Sequence, residues 1–320
     1  MIFSKIVSTG SALPKKILTN DDLAKTVETT DEWISSRTGI KQRHIAESDL
    51  KTSDLATKAL NNALNSASFA NEKIDGIIVA TTTPDMIFPA TAVKVQKNLK
   101  IEHGFAFDIQ AVCSGFLYAL QIADSFILQG KVKNIAVIGA DIMSKVIDWQ
   151  DRNTCVLFGD GAGAVILSAA ENDINKGVLA TDIFSDGSLI DVLTASGGLF
   201  DDVKNKKIIM NGREVFKNAV TRMTQSITNI IEKSDKKIDD IDYLLLHQAN
   251  FRIIKAVADK LGIDKSKILS SVKNHANTSA ASIPLCLDDY IKSQRLKPGS
   301  LIVSAAAGAG FTWGAALFYL

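Results

Sequence analysis

Three apolar segments occur twice along this chain, in the same order each time. Ile74-Asp75-Gly76-Ile77-Ile78-Val79 returns as Ile241-Asp242-Tyr243-Leu244-Leu245-Leu246, and Lys133-Asn134-Ile135-Ala136-Val137-Ile138 as Gly299-Ser300-Leu301-Ile302-Val303-Ser304. Gly163-Ala164-Val165-Ile166-Leu167 returns as Gly314-Ala315-Ala316-Leu317-Phe318. The first two pairs lie 167 (241 − 74) and 166 (299 − 133) residues apart. The third lies 151 (314 − 163) apart, so the second copy has a shorter connection there. Apolar runs without polar alternation are the pattern of strands covered on both faces, hence of parallel strands between helices. Their recurrence predicts a duplicated α/β unit. The expected division is residues 1–172 and 173–320, with the join in the polar stretch 169–177.

The totals narrow the function classes. A net charge of +1 over 320 residues provides no global field for nucleic acid. Cys113, Cys155 and Cys286 cannot all pair, and neither they nor the four histidines show metal-site spacing. Free thiols and an N-terminus without an apolar signal core predict a cytoplasmic protein. Residues 301–320 are uncharged and long enough to span a bilayer. Three interrupting glycines, four alanines ahead of Phe311 and no charged residue after it favour a strand (301–304), a turn (305–310) and a second strand (313–320) instead.

Other local signals predict a first strand over 1–10, and a short helix capped by Asn20 and running to Val27. A helix over 54–65, capped by Ser53, has Ala56, Leu60, Ala63 and Leu64 on one stripe. Strands are expected over 77–80 and over 135–138, the latter ended by Gly139, and Cys155 falls in an apolar strand. Residues 185–207, rich in Gly, Asp and Lys, read as an excursion over the body.

The candidate chemistry lies where strands end. The strand 105–109 gives way to Ala-Val-Cys-Ser-Gly and then to a helix with Phe116, Leu117, Leu120, Ala123 and Ile127 on one face. Cys113 falls at that junction, where unpaired amides and the helix dipole favour a thiolate nucleophile. The small Ser114 and Gly115 would let a carbonyl approach the backbone. In the second copy, His247 ends a strand and begins a helix, and Asn277 precedes another helix at nearly the matching place to Cys113. Open α/β sheets place their sites at such carboxyl ends. An imidazole and a carboxamide can each donate to one carbonyl oxygen and so stabilise an enolate. Gly159-Asp160-Gly161-Ala162-Gly163-Ala164 matches a loose dinucleotide pattern, but the strand-like residues after it leave no helix N-terminus for a phosphate. It reads as a tight turn between strands.

Taken together, these motifs resemble the β-ketoacyl-acyl-carrier-protein synthase III family of condensing enzymes, nearly end to end. The resemblance runs through Asp31-Glu32-Trp33-Ile34, Arg37-Thr38-Gly39-Ile40, Cys113-Ser114-Gly115-Phe116 and Phe158-Gly159-Asp160-Gly161. It continues through His247-Gln248-Ala249-Asn250, Asn277-Thr278-Ser279-Ala280-Ala281-Ser282 and Gly310-Phe311-Thr312-Trp313-Gly314. It implies an α/β thiolase-like fold, two halves in a layered α-β-α-β-α sandwich. It implies that Cys113 takes an acyl group from acyl-CoA, most simply acetyl-CoA. His247 and Asn277 then bind the thioester carbonyl of malonyl-acyl carrier protein during decarboxylation and condensation. A Cys-His-Asn enzyme of secondary metabolism with another acyl group or acceptor is the alternative.

The same resemblance implies further residues. The oxyanion hole would be the amides of Cys113 and Ala309, the latter standing where the family usually has glycine. If that position needed φ > 0, alanine would cost about 1 kcal/mol. Trp33 and Arg152 would flank the adenine of coenzyme A, with Arg37 near its phosphates. Phe88 would close the acyl pocket of a neighbouring subunit, implying a homodimer. Arg252, Lys255, Lys260 and Lys217 would face the acidic carrier protein. Neither a metal nor a bound cofactor, nucleic acid nor membrane is expected; coenzyme A enters only as a substrate thioester.

Overall fold

The apolar runs become two five-stranded sheets in the computed structural model, which describes residues 2–171, 177–198 and 208–320. The first sheet holds β1 (Ile2–Ala12), β2 (Gly76–Ala80), β3 (Phe105–Ile109), β4 (Asn134–Ile142) and β5 (Asp160–Glu171), in the order β1-β5-β4-β2-β3. The second holds β6 (Val178–Ser185), β7 (Tyr243–Leu246), β8 (Ile268–Leu269), β9 (Leu301–Gly308) and β10 (Thr312–Tyr319), in the order β6-β10-β9-β7-β8. Adding five to each label of the first sheet gives the second. Directions agree too: β1-β5 and β5-β4 are antiparallel, β4-β2 and β2-β3 parallel, and the second sheet repeats this.

The main helices follow the same repeat: α1 (Thr52–Ser66), α2 (Thr91–Asn98), α3 (Gly115–Leu128), then α4 (Gly212–Lys233), α5 (Phe251–Leu261) and α6 (Ser282–Lys292). Each buries a stripe because its apolar residues recur three and four apart. In α1 the stripe is Leu55, Ala56, Ala59, Leu60, Ala63 and Leu64. Helices α1 and α2 cover the outer face of the first sheet, α4 and α5 that of the second, and α3 and α6 fill the layer between. The central core of that layer includes Phe116, Leu120, Ile127, Ile283 and Leu287. Truncating a leucine such as Leu120, fully buried there, costs about 2–5 kcal/mol. The expected join within 169–177 includes residues 172–176, outside the described residues.

Several local expectations are corrected. Thr19, not Asn20, caps the first short helix, which spans Asn20–Leu23; the Asn20 carboxamide instead donates to Asp31 and the Ile40 carbonyl. Helix α1 begins one residue before Ser53, whose hydroxyl goes to Asp85. Strand β4 does not stop at Gly139, and residues 305–308 continue β9 instead of turning. Cys155 lies in the short helix Arg152–Cys155. The glycines of residues 159–164 are not a turn either: Gly161 and Gly163 lie inside β5. A Cβ on Gly163 would fall 2.5 Å from the Leu285 amide nitrogen, so glycine there admits the backbone of α6. Of the excursion, residues 187–192 form 3₁₀ turns and Leu193–Ala195 pairs with Ile208–Met210; residues 199–207 lie outside the described residues. Among the described residues, no helix is long and apolar enough to cross a membrane.

Candidate active site

The nucleophile loop is held tightly from both sheets. After β3, Val112 takes φ 47°, costly for a β-branched residue, and Cys113 sits in the 3₁₀ turn Val112–Ser114 ahead of α3. The Ser114 hydroxyl lies 2.7 Å from the Ala111 carbonyl and 2.8 Å from the Thr312 hydroxyl, tying the loop to the start of β10. Gly308 ends β9 directly against this turn: a Cβ there would stand 2.8 Å from the Cys113 nitrogen. Gly115 does not serve substrate approach; it packs toward Ala80 and Ala280. Burial, aided by the nearby Asp141 carboxylate, pushes the Cys113 thiol up to about 12, while the Ser279 hydroxyl pulls the other way. With the cysteine only 6% exposed, burial thus works against the thiolate that the helix start favours.

His247 follows β7, its amide still paired to the Ala305 carbonyl at 2.9 Å. It does not begin a helix; α5 starts at Phe251, capped by Asn250. Its Nδ1 lies 2.7 Å from Ser282 Oγ, and burial brings its pKa down to about 3, so the imidazole is neutral. Next to it, the buried Gln248 donates to the Leu246 carbonyl and accepts from the Ser271 and Val272 amides, linking β7 to the segment after β8. That segment carries Asn277, whose backbone is bonded to Leu157 and Gly159 of the first half. The residue before it, Ala276, has φ 58°. Asn277 Oδ1 accepts from the Ser279 amide at 2.9 Å, which leaves the carboxamide NH₂ as a donor without an acceptor among the described residues.

Cys113, His247 and Asn277, all buried, line one cavity of about 370 Å³. Exposed Arg37, Asn153 and Arg252 and half-buried Trp33 line it where it opens, and Leu193, Met210, Phe216, Ile253 and Phe311 supply apolar wall. Asn153, Met210 and Phe216 had no signal in the sequence, because a short helix, the end of a short strand and the first turns of α4 bring them there. Trp33 lies on a helix capped by Thr30, with the Arg37 guanidinium 4.7 Å from its ring centre and that of Arg152 at 5.0 Å. Arg152 also donates to the Glu28 carbonyl at 2.8 Å.

Ala309 follows β9 directly; it is not among the residues with positive φ, so the expected alanine penalty does not arise. The positive value falls on Gly310, at φ 129°. The Ala309 N–H meets no acceptor among the described residues, while its carbonyl accepts from Thr312 at 3.0 Å. Phe88 does not line this cavity; it is 81% exposed, beside exposed Met86 and Ile87. Arg252, Lys255 and Lys260 are exposed on α5 and Lys217 on α4, with Lys255 bonded to Asp259 and Lys217 3.8 Å from Glu214.

Comparison with known proteins identifies the family. The model of 3-oxoacyl-[acyl-carrier-protein] synthase III matches residues 107–187, and that of its C-terminal region matches residues 231–320. The chain is 53% identical over 314 residues to the β-ketoacyl-[acyl-carrier-protein] synthase III of Ehrlichia canis, covering 98% of both chains. It is 50% identical over 317 residues to that of Wolbachia pipientis wMel, covering 99% of both. The solved 3-oxoacyl-[acyl-carrier-protein] synthase III of Aquifex aeolicus superposes with a TM-score of 0.94 at 48% identity, over 99% of this chain and 100% of that one. With its sheets duplicated and its cysteine, histidine and asparagine in one cavity, this chain belongs to the β-ketoacyl-[acyl-carrier-protein] synthase III family.

Proposed function

We propose that this chain performs the initiating condensation of fatty-acid synthesis, joining an acyl group from acyl-CoA to malonyl-acyl carrier protein through a thioester on Cys113. The observation that carries the reading is the meeting of Cys113 with His247 and Asn277 in one buried cavity. Residues 1–172 would then supply the nucleophile and residues 173–320 the two carbonyl donors.

In the first step the Cys113 sulfur bonds to the acyl carbon, the bond to the coenzyme A sulfur breaks, and the thiol proton leaves with coenzyme A. The amides of Cys113 and Ala309 receive the developing oxyanion. In the second step the carboxylate of the malonyl group departs as carbon dioxide, and its electron pair passes into an enolate. The NH₂ of Asn277 and the free ring nitrogen of His247 hold that oxygen. The carbanion attacks the acyl carbon, and the Cys113 sulfur leaves and is reprotonated. A neutral imidazole suits the second step, since its N–H can donate to the thioester carbonyl without a buried charge. Metal and cofactor play no part in this scheme.

Trp33 and Arg152, whose guanidinium lies over the ring, flank the adenine, and Arg37 pairs with the phosphates. Arg252, Lys255, Lys260 and Lys217 form the face for the acidic carrier protein. Three consecutive exposed apolar residues, Met86, Ile87 and Phe88, support burial against a second copy, with Phe88 reaching the partner's acyl pocket. Intact-mass analysis after exposure to a panel of acyl-CoAs, followed by malonyl-acyl carrier protein, tests the scheme. An acyl adduct on Cys113 that the second substrate then consumes is expected. An adduct elsewhere, or one that malonyl-acyl carrier protein leaves in place, sinks it.

A further inference from the structure

Ser282 is used by nothing above, although it touches the imidazole. Its Oγ stands 2.7 Å from His247 Nδ1 and 3.3 Å from the Gln248 amide nitrogen. It opens α6 and is itself buried. The amide can only donate, so it takes one lone pair of the hydroxyl oxygen. Among the described residues the hydroxyl proton has one acceptor within reach, Nδ1 of His247. The other tautomer, with its hydrogen on Nδ1, would aim two N–H donors at one oxygen and leave a buried O–H unmatched.

We infer that Ser282 is a positioning residue: by donating to Nδ1 it fixes the hydrogen of His247 on Nε2 and keeps that nitrogen a donor toward the cavity. The inference rests on the reading of His247 given above and adds what selects its working form. A histidine with the hydrogen on Nδ1 would present a lone pair to the substrate carbonyl and repel the enolate it is meant to hold. The neutrality imposed by burial is what makes the choice of tautomer decisive, because a doubly protonated ring would donate from both sides. The two residues come from separate elements, the end of β7 and the start of α6, so their meeting is a product of the fold.

The test combines a tautomer measurement with two separated half-reactions. Long-range nitrogen-15 correlation spectra of the wild-type chain should show His247 protonated at Nε2; protonation at Nδ1 overturns the inference without any variant. Ser282→Ala should lower malonyl decarboxylation by about 10- to 100-fold while self-acylation of Cys113 stays within about twofold. Ser282→Thr, which keeps the hydroxyl, should restore most of the loss. Unchanged decarboxylation in Ser282→Ala refutes the role. His247→Ala is run beside it: loss there with no loss in Ser282→Ala sinks only the present inference. Retained decarboxylation in His247→Ala sinks both it and the reading beneath.

Discussion

At the carboxyl end of β3 the first sheet presents Cys113; at the matching end of β8, 164 residues later (277 − 113), the second presents Asn277. Both are preceded by a non-glycine residue at positive φ, Val112 at 47° and Ala276 at 58°, again 164 apart (276 − 112). Strain of roughly 1–3 kcal/mol at each is carried by the same loop of each half. The ends of β4 and β9 differ more. Asp141, near the end of β4, accepts from Thr81, Thr82 and Thr83 and from the Ala280 amide, locking loops of both halves together. The equivalent position on β9 is Gly308, 167 residues on (308 − 141), emptied so that the Cys113 amide can lie against it. One scaffold thus serves two tasks. The first half is knotted around a buried carboxylate and holds a nucleophile; the second keeps space and hydrogen-bond donors for a carbonyl.

The sharpest way to break this division is to remove one side's chemistry. Cys113→Ser should lower acyl transfer from acetyl-CoA by on the order of 10⁴-fold or more, read as loss of the acyl adduct by intact mass. Labelling of that variant at the wild-type rate would falsify the assignment of the nucleophile to the first half. Asn277→Ala should reduce malonyl decarboxylation about 10²- to 10³-fold yet leave single-turnover self-acylation within a few-fold. Equal losses in both steps would show that the halves do not divide the labour.

Smaller changes sharpen the comparison at its edges. Gly308→Ala forces a methyl to 2.8 Å from the Cys113 nitrogen and 3.1 Å from the Ala111 carbonyl, so the nucleophile loop must shift. We expect about 1–3 kcal/mol of lost stability with slowed acylation, measured by denaturant titration beside the single-turnover assay. A change without effect on acylation would mean that the emptied position is not shaped for the nucleophile. Trp33→Ala should raise KM for acyl-CoA roughly tenfold with kcat nearly unchanged, the signature of lost ground-state binding worth about 1.4 kcal/mol. A fall in kcat with constant KM would contradict the clamp.

How much of this was legible in the chain depends on which signal each feature leaves. The repeat was readable because doubly covered strands are apolar throughout. The first and third offsets were in register, but the second was one residue short: Ile135 lies opposite Gly76 as Ile302 lies opposite Tyr243, an offset of 167 (302 − 135) and not 166. Small residues misled. Gly161 and Gly163 read as a turn, and residues 305–308 as another, because close approach of a second backbone and a reversal of the chain both call for little or no side chain. The strained Val112 and Ala276 were invisible, as neither residue type advertises positive φ. The burial of Cys113 was also out of reach: the dipole argument is local, whereas the burial comes from Gly308 and the second sheet. Ser282 and Gln248 read as part of a family motif, but their partners lie across elements that only the fold brings together.

The halves are also expected to differ in their response to pH. Burial brings His247 down to about 3 from an ordinary 6.5. Between those values the unfolded chain binds a proton that the folded chain refuses, so stability is full above about pH 6.5 and erodes as pH falls toward 3. The slope reaches at most about 1.4 kcal/mol per pH unit for this group. Burial, with His44 adding to it, brings His275 down to about 4, and its contribution has the same sign. Asp289, raised to about 6 by burial and by Asp288, acts in reverse between pH 3.8 and 6, where the folded chain holds the extra proton. A difference measurement removes these other groups. The stability of wild type relative to His247→Gln should decline from pH 7 to pH 5, read by urea unfolding at each pH. The same comparison with Cys113→Ala should stay flat, because a thiol pushed up to about 12 does not titrate in that range. A flat His247 difference would mean that the imidazole is hydrated, and that the second half does not hold its carbonyl donor dry.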